Sequence, residues 1–247
     1  LTQRPLDLFA HVSQCLRREL TELIPLPETK LKSGTVLVVG LGNRGVTPDS
    51  LGPRVAERGF VTRHIKEHMP EAFDFDIPSV CAIAPGVLGV TGVETMDIVF
   101  GVANKVKPDL IIAVDALASR RAARISTTIQ LSDSGISPGS GVGNTRADLS
   151  RANLGVPVIA VGVPLVVYAS TISQDTISLI ADETGLHGDE ERLRELAEQV
   201  IAKHMGDFIV TPKDIDVIVE DMAGIIANAI NSALFGNNLE QVRNMLA

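Results

Sequence analysis

The stretch TVLVVGLGN, residues 35–43, decides the fold class of this chain. It is a continuous β-branched run that ends in glycines, which is typical of a strand buried on both faces of a parallel sheet. Four further strand-like runs follow, and helical patterns separate them. The alternation predicts an α/β fold with a mostly parallel, twisted sheet flanked by helices. The four runs are SVCAIAP (79–85), DLIIAVDA (109–116), STTIQLSD (126–133) and VPVIAVGVP (156–164).

The helical patterns organise residues 1–247 as a single α/β domain with three regions. Residues 1–34 are predicted to hold a helix over 6–23 and a linker broken by two prolines. Residues 35–183 form the α/β core, in which Pro48 begins a helix that runs through residue 68. Residues 189–247 are predicted C-terminal helices, and their apolar stripes fit either the core or a subunit contact.

Composition excludes several classes of protein. The 22 Lys and Arg against 30 Asp and Glu give a net charge of −8, so we expect no nucleic-acid partner and no attraction to an anionic membrane surface. No apolar run in the sequence suggests a membrane span. Cys15 and Cys81 lie far apart without metal-ligand spacing, which fits a reducing cytoplasm and no zinc cluster.

Two local motifs permit rival interpretations. Gly40, Gly42 and Gly45 match the G-x-G-x-x-G pattern that places a dinucleotide's pyrophosphate on the next helix. The match is weak, because the second strand-like run ends in Ala-Pro where an acidic residue would hold the ribose. Ser137 lies in a G-x-S-x-G pattern, but a glycine-rich loop follows it instead of the helix that a nucleophile elbow needs.

The acidic residues indicate catalysis more strongly. Asp115 directly follows a buried apolar run, and Asp49 lies at the turn after the first strand, on the same edge of a parallel sheet. We therefore predict that the two carboxyl groups converge. Such a pair does not ionise easily together, so one carboxyl keeps its proton as a general acid while the other activates water. For Asp49, helix capping is the alternative interpretation.

Glycine-rich loops after the strands are candidates for substrate contacts. Gly86 in one loop and Gly139, Ser140 and Gly141 in another are expected to present backbone N–H groups to an oxyanion or an extended peptide. We expect no metal and no other cofactor, because no His or Cys lies in the strand-end segments. His64 and His68 are one helical turn apart, but a solvated helix face explains them more simply.

Taken together, these segments resemble the spore germination proteases of endospore-forming bacteria. The resemblance is carried by VGLGNRGVTPDSLGPRV, FVTRHI, SVCAIAPGVLGVTGVET, KPDLIIAVDALASR, TTIQLSDSGISPGSGVGN, LGVPVIAVGVP and MGDFIVTPKDIDVIVEDMAGIIANAINSAL, and it runs from Val36 to Leu234. It implies an atypical aspartic endopeptidase that degrades small acid-soluble spore proteins during germination. It also implies synthesis as a zymogen, assembly as a homotetramer, and a place in the cytoplasm of the spore core. The two aspartates proposed as catalytic in that family correspond to Asp49 and Asp115.

The resemblance also extends to the fold of the hydrogenase-maturation endopeptidases, of the phosphorylase/hydrolase-like kind, which use a metal-binding site near the corresponding strand ends. Within the implied activity, Arg44, Arg120 and Arg121 flank the two aspartate motifs and are candidates for reading acidic substrate side chains. Three alternatives stay open: a non-catalytic sporulation protein of this fold, a metal-dependent maturation endopeptidase, and a dinucleotide-binding module.

Overall fold

The computed structural model describes residues 6–73, 75–138, 147–185, 190–204 and 208–246. Its strands form one sheet in the order β2-β1-β3-β5-β4, with β6 paired to the far end of β5. β1 pairs in parallel with β2 and β3, and β3 pairs in parallel with β5, whereas β4 and β6 run antiparallel to β5. The strands are β1 (Thr35–Gly40), β2 (Ser79–Ile83), β3 (Leu110–Ser119), β4 (Gln130–Ser132), β5 (Val158–Tyr168) and β6 (Ile209–Val210).

Helices cover both faces of the sheet, so the predicted α/β class is confirmed. One face packs against α1, α3 and α10, and the other against α6. The α-helices of the described ranges are α1 (Leu6–Leu23), α2 (Glu28–Ser33), α3 (Leu51–Arg58), α4 (Arg63–His68), α5 (Leu88–Thr91), α6 (Thr95–Val106), α7 (Arg151–Leu154), α8 (Ala169–Thr184), α9 (Glu190–His204), α10 (Ile215–Phe235) and α11 (Leu239–Leu246).

Helix α10 belongs to the main core. Its buried residues pack against α1, α3 and the sheet, and Asn231 ties it to the end of α3. The Asn231 side chain accepts a hydrogen bond from the Phe60 N–H (3.0 Å) and donates one to the Arg58 carbonyl (3.1 Å). By length and hydropathy alone, the stretch Ile215–Leu246 could also cross a membrane, but half of its most apolar window lies inside the protein. Burial in this core therefore accounts for its apolar character.

Three predicted elements differ from the structure. The helix expected from Pro48 to residue 68 is a 3₁₀ turn followed by α3 and α4, because Gly59 ends α3 in extended backbone. The linker of the N-terminal region contains α2. The strand expected over residues 126–133 is only β4, because Ser126 has a left-handed backbone (φ 58°) and its N–H bonds to the Pro164 carbonyl.

Candidate active site

The sequence predicted Asp115 at the end of its strand, but Asp115 lies inside β3, which continues to Ser119. β1 stops one residue short of Asp115, since the last β1 pair is Gly40 with Val114, whereas β3 continues beside β5 to Ser119. Asp115 is therefore the first residue of β3 that has lost its β1 neighbour. Its side chain is only 4% exposed, and its Oδ1 accepts a hydrogen bond from the Ala116 N–H at 2.9 Å.

Asp49 ends the 3₁₀ turn Thr47–Asp49 that follows the β1 loop. Its Oδ2 accepts a hydrogen bond from the Asn43 N–H at 2.7 Å, which closes the loop on itself. Gly42 adopts φ 111° there, and a Cβ on it would lie 2.0 Å from the Asp49 carbonyl oxygen. The capping interpretation of Asp49 is wrong, because α3 begins after Ser50 and no side-chain cap bond precedes it. The Asp49 carboxyl is instead held by the loop before it.

Close backbone packing brings the Asp49 turn and α3 onto the end of the sheet. A Cβ on Gly40 would lie 2.1 Å from the Gly52 carbonyl oxygen. A Cβ on Gly52 would lie 2.2 Å from the Leu41 carbonyl oxygen and 2.5 Å from that of Val114. Two glycines of the G-x-G-x-x-G match, Gly40 and Gly42, thus make room for the chain's own backbone. A 3₁₀ turn lies where a dinucleotide fold needs its helix.

The two carboxyl groups differ in pKa because their environments differ. Burial, with a further contribution from the negative charge of Asp49, raises the pKa of Asp115 to about 8. Burial also raises the pKa of Asp49, but Asp49 is less buried and the Asn43 N–H counteracts the rise by stabilising its carboxylate. The two groups therefore interact, and Asp115 is the one that holds a proton at neutral pH.

Leu117 lies next to Asp115 on one face of the sheet. The two side chains lie on the same face of β3, and the β5 residue opposite Asp115 is Gly162. A Cβ on Gly162 would lie 2.4 Å from the Leu117 Cδ1 atom. Leu117 therefore lies over Gly162, directly beside Asp115, in space that only glycine leaves free. The Leu117 side chain therefore occupies the part of this face that adjoins Asp115.

Comparison with known proteins identifies the family of this chain. The family model described as germination protease matches residues 2–190 and 183–245. The germination protease of Caldanaerobacter subterraneus subsp. tengcongensis is 47% identical, covering 100% of this chain and 79% of its own length. That of Clostridium acetobutylicum is 47% identical and covers 90% of this chain and 72% of its own, and that of Bacillus cytotoxicus is 42% identical over 95% and 76%. The chain belongs to the germination protease family.

Membership confirms the resemblance seen in the sequence and makes the chain a hydrolase that acts on a protein substrate in spore germination. Among solved structures, the [NiFe] hydrogenase maturation protease HycI of Thermococcus kodakarensis is similar at a TM-score of 0.43 and 16% identity, covering 86% of this chain and 98% of that one. The hydrogenase maturating endopeptidase HybD of Escherichia coli is similar at a TM-score of 0.31 and 17% identity, over 73% and 99%.

The three arginines considered as substrate contacts differ in their surroundings. Arg44 is exposed and pairs with Glu57 of α3. Arg120 and Arg121 are exposed directly after β3, and no ion pair with a described residue occupies either of them. The loop that carries them is anchored from α8, because Asp175 accepts a hydrogen bond from the Ala122 N–H at 2.7 Å. Arg120 and Arg121 are thus the better placed candidates.

Of the glycine-loop candidates, Gly86 lies just after β2, at the same edge of the sheet, with φ 76°. Its carbonyl accepts a hydrogen bond from the Thr95 hydroxyl. Gly139, Ser140 and Gly141 lie outside the described residues, so their predicted role stays a prediction.

The described part of the chain offers no ready metal site. In it, no group of three or more His, Cys, Asp and Glu side chains is close enough to hold an ion, and His64 and His68 are exposed on α4. Asp49 and Asp115 alone do not match the three protein ligands that catalytic zinc sites use. The described residues around Asp49 and Asp115 therefore do not make up a zinc site of that kind.

Three contributors to the site escaped the sequence analysis. Asn43 contributes its backbone N–H, and Leu117 and Gly52 contribute through packing. In none of the three does a reactive side chain identify the residue as part of a site. Gly52 carried a usable signal, because a glycine early in a predicted helix has to be explained by a close contact.

Proposed function

We propose that this chain is an aspartic-type endopeptidase in which Asp49 is the general base and Asp115 the general acid. The observation that carries the proposal is that the two carboxyl groups have different environments. Asp115 is buried, which raises its pKa so that it holds a proton, whereas the Asp49 carboxyl accepts a hydrogen bond from a backbone N–H of the loop before it. The Asp49 carboxylate takes a proton from a water molecule as that water attacks the scissile carbonyl carbon. Asp115 gives its proton to the departing amine, so that one acid and one base complete the hydrolysis.

We propose small acid-soluble spore proteins as the substrates, cleaved in the cytoplasm of the spore core. Arg120 and Arg121 support this assignment, since two exposed guanidinium groups next to β3 suit acidic side chains through their fixed fork of donors. If the arginines read such side chains, Arg120→Ala and Arg121→Ala raise KM for a Glu-containing peptide. Unchanged kinetics in both variants would show that the arginines only cover the loop.

We also propose zymogen synthesis and a homotetramer, as the family resemblance implies. Exposed apolar side chains on α8 and α9 support self-association. They are Leu179, Ile180, Leu193, Leu196 and Val200.

The deciding experiment compares Asp49→Asn and Asp115→Asn with the unchanged chain on a purified small acid-soluble spore protein. Asparagine keeps size and shape but cannot exchange the proton, so each variant should fold and lose about a hundredfold or more in rate. Full activity in Asp115→Asn would overturn the aspartic mechanism. If the chain without any substitution does not cleave the substrate, the non-catalytic alternative is favoured. Loss of activity with a chelator and its recovery with zinc or manganese would instead indicate a metal-dependent endopeptidase.

A further inference from the structure

The last four residues of β3 are paired on one side only. The pairing of β1 with β3 ends at Val114, but the pairing of β5 with β3 continues to Ser119. Along Ala116–Ser119, no strand of the described ranges lies on the β1 side. We call Ala116–Ser119 the open edge. It begins directly after Asp115 and spans about 13 Å at the usual rise of a strand.

The backbone of the open edge has hydrogen-bonding groups to offer. The Leu41 N–H donates to the Val114 carbonyl at 2.8 Å, which shows that Val114 faces the β1 side. Because backbone groups alternate along a strand, Ala116 faces the same side, beyond the end of β1. The pairing with β5 shifts register between Leu117 and Ala118, but the extra residue, Leu165, lies in β5, so the alternation along β3 continues and Ala118 also faces this side. The Ala116 N–H is used by the Asp115 carboxyl. Among the described loops and turns, no N–H donates to the carbonyl of Ala116 or Ala118, and no carbonyl accepts from the Ala118 N–H.

Side chains leave this edge accessible. Ala116, Leu117 and Ala118 are all partly exposed, and two of the three carry only a methyl group. Leu117 is the one large side chain, and it lies over Gly162 on the β5 side, away from the edge. Exposed backbone groups next to small side chains are what an added strand requires, because its main chain must approach to hydrogen-bonding distance.

We propose that the open edge binds an extended segment of the protein substrate as an additional β-strand, and so delivers a peptide bond to Asp115 and Asp49. The proposal rests on the proposed function, because its occupant is the chain that the two aspartates cleave. Strand addition supplies affinity through the main chain, and side-chain contacts such as the arginines then select among sequences. The substrate must therefore be extended at the cleaved bond, and a segment folded as a helix has to unwind first.

A series of substrate peptides tests the proposal. The parent is a ten-residue peptide spanning a bond cleaved in a purified small acid-soluble spore protein, and each backbone amide is N-methylated in turn. In a bound strand, only alternate N–H groups face the partner strand, and the open edge offers two acceptors, the carbonyls of Ala116 and Ala118. We therefore expect kcat/KM to fall about tenfold or more at two amides that lie two residues apart, and little at the amide between them. An ester in place of the same amides removes the donor without the bulk of the methyl group and should reproduce the alternation.

A protein variant gives an independent measurement. Ala118→Pro removes an N–H from the open edge, and proline is tolerated where a strand has no partner on that side, so KM should rise about tenfold with little change in kcat. Circular dichroism checks that the variant folds, and if it does not, the peptide series decides alone. Losses without a two-residue period would overturn the proposal.

The outcomes separate this inference from the proposed function. If the unmodified peptide is cleaved and Asp115→Asn abolishes cleavage, but the N-methyl series shows no alternation, the mechanism stands and strand addition falls. If Ala118→Pro leaves KM unchanged and alters the molecular mass in solution, the open edge pairs with a second copy of the chain, which also overturns the proposal. If the parent peptide is cleaved equally by Asp115→Asn, the proposed function fails first.

Discussion

At the scale of single residues, the proton on Asp115 links catalysis to the stability of the fold. A carboxyl group whose pKa is higher in the folded than in the unfolded chain favours folding at low pH, and this advantage is lost as pH rises through the folded pKa. For Asp115 that window runs from its ordinary pKa near 4 up to about 8. Asparagine at this position does not titrate.

The expected result is that Asp115→Asn gains thermal stability relative to the unchanged chain as pH rises. The difference in Tm should grow from about pH 5 to about pH 8 and reach several degrees, which calorimetry across that range measures. A constant difference in Tm across the range would mean that Asp115 ionises normally in the folded protein.

Leu117 should set the alkaline limit of activity. Leu117→Ala lets water reach the Asp115 carboxyl, so its pKa should fall and its proton should be lost at lower pH. The alkaline limb of the kcat/KM profile should therefore move to lower pH. Leu117→Met has a similar volume and serves as the matched control, with its limb close to that of the unchanged chain. If the alkaline limbs of the three kcat/KM profiles coincide, Leu117 does not influence the pKa of Asp115.

At the scale of elements, the contact of α3 with the sheet positions the Asp49 turn. Gly52→Ala places a methyl group 2.2 Å from the Leu41 carbonyl oxygen and 2.5 Å from that of Val114, so α3 must move away from the sheet. Because Asp49 lies three residues before Gly52, the turn should move with it, and a shift of about 1 Å can cost about a hundredfold in rate. We expect a loss of kcat together with a lower Tm.

Gly224→Ala is the matched control for this helix substitution. Gly224 lies on α10 with nothing within 4 Å of the position of a Cβ, so alanine should fit and stabilise the helix by about 0.5–1 kcal/mol. Equal activity in Gly52→Ala and Gly224→Ala would show that the α3 contact does not position the aspartates.

At the scale of the whole molecule, the apolar surface of α8 and α9 should mediate self-association. Light scattering at micromolar concentration should give a mass above the 26.2 kDa of one chain. Leu179→Lys combined with Leu193→Lys should reduce that mass, because both side chains are at least half exposed and a charge opposes their burial between subunits. Met245→Lys, on α11, is the control. A single 26.2 kDa species before any substitution would exclude the oligomer.

The strands of the core could be predicted because their signal is local. β1, β2, β3 and β5 each form where a β-branched or apolar run required a buried strand. The predicted strand over residues 126–133 contains β4, but its shortening to Gln130–Ser132 and the break between α3 and α4 could not be predicted, since each depends on a backbone contact or turn that the apolar pattern does not encode. The choice for α10 between core and subunit contact was also open, because an apolar stripe specifies burial but not the partner that buries it.

The sequence by itself determined that this chain builds a parallel sheet and that Asp49 and Asp115 belong to one edge of it. Both follow from the order of apolar runs and from the rule that parallel strands end at a common edge. Only the tertiary structure decided that burial raises the pKa of Asp115, that Leu117 lies over Gly162 beside it and that β3 extends beyond the end of β1. The physical reason is that desolvation and strand length depend on contacts between segments far apart in the chain, which no local pattern records.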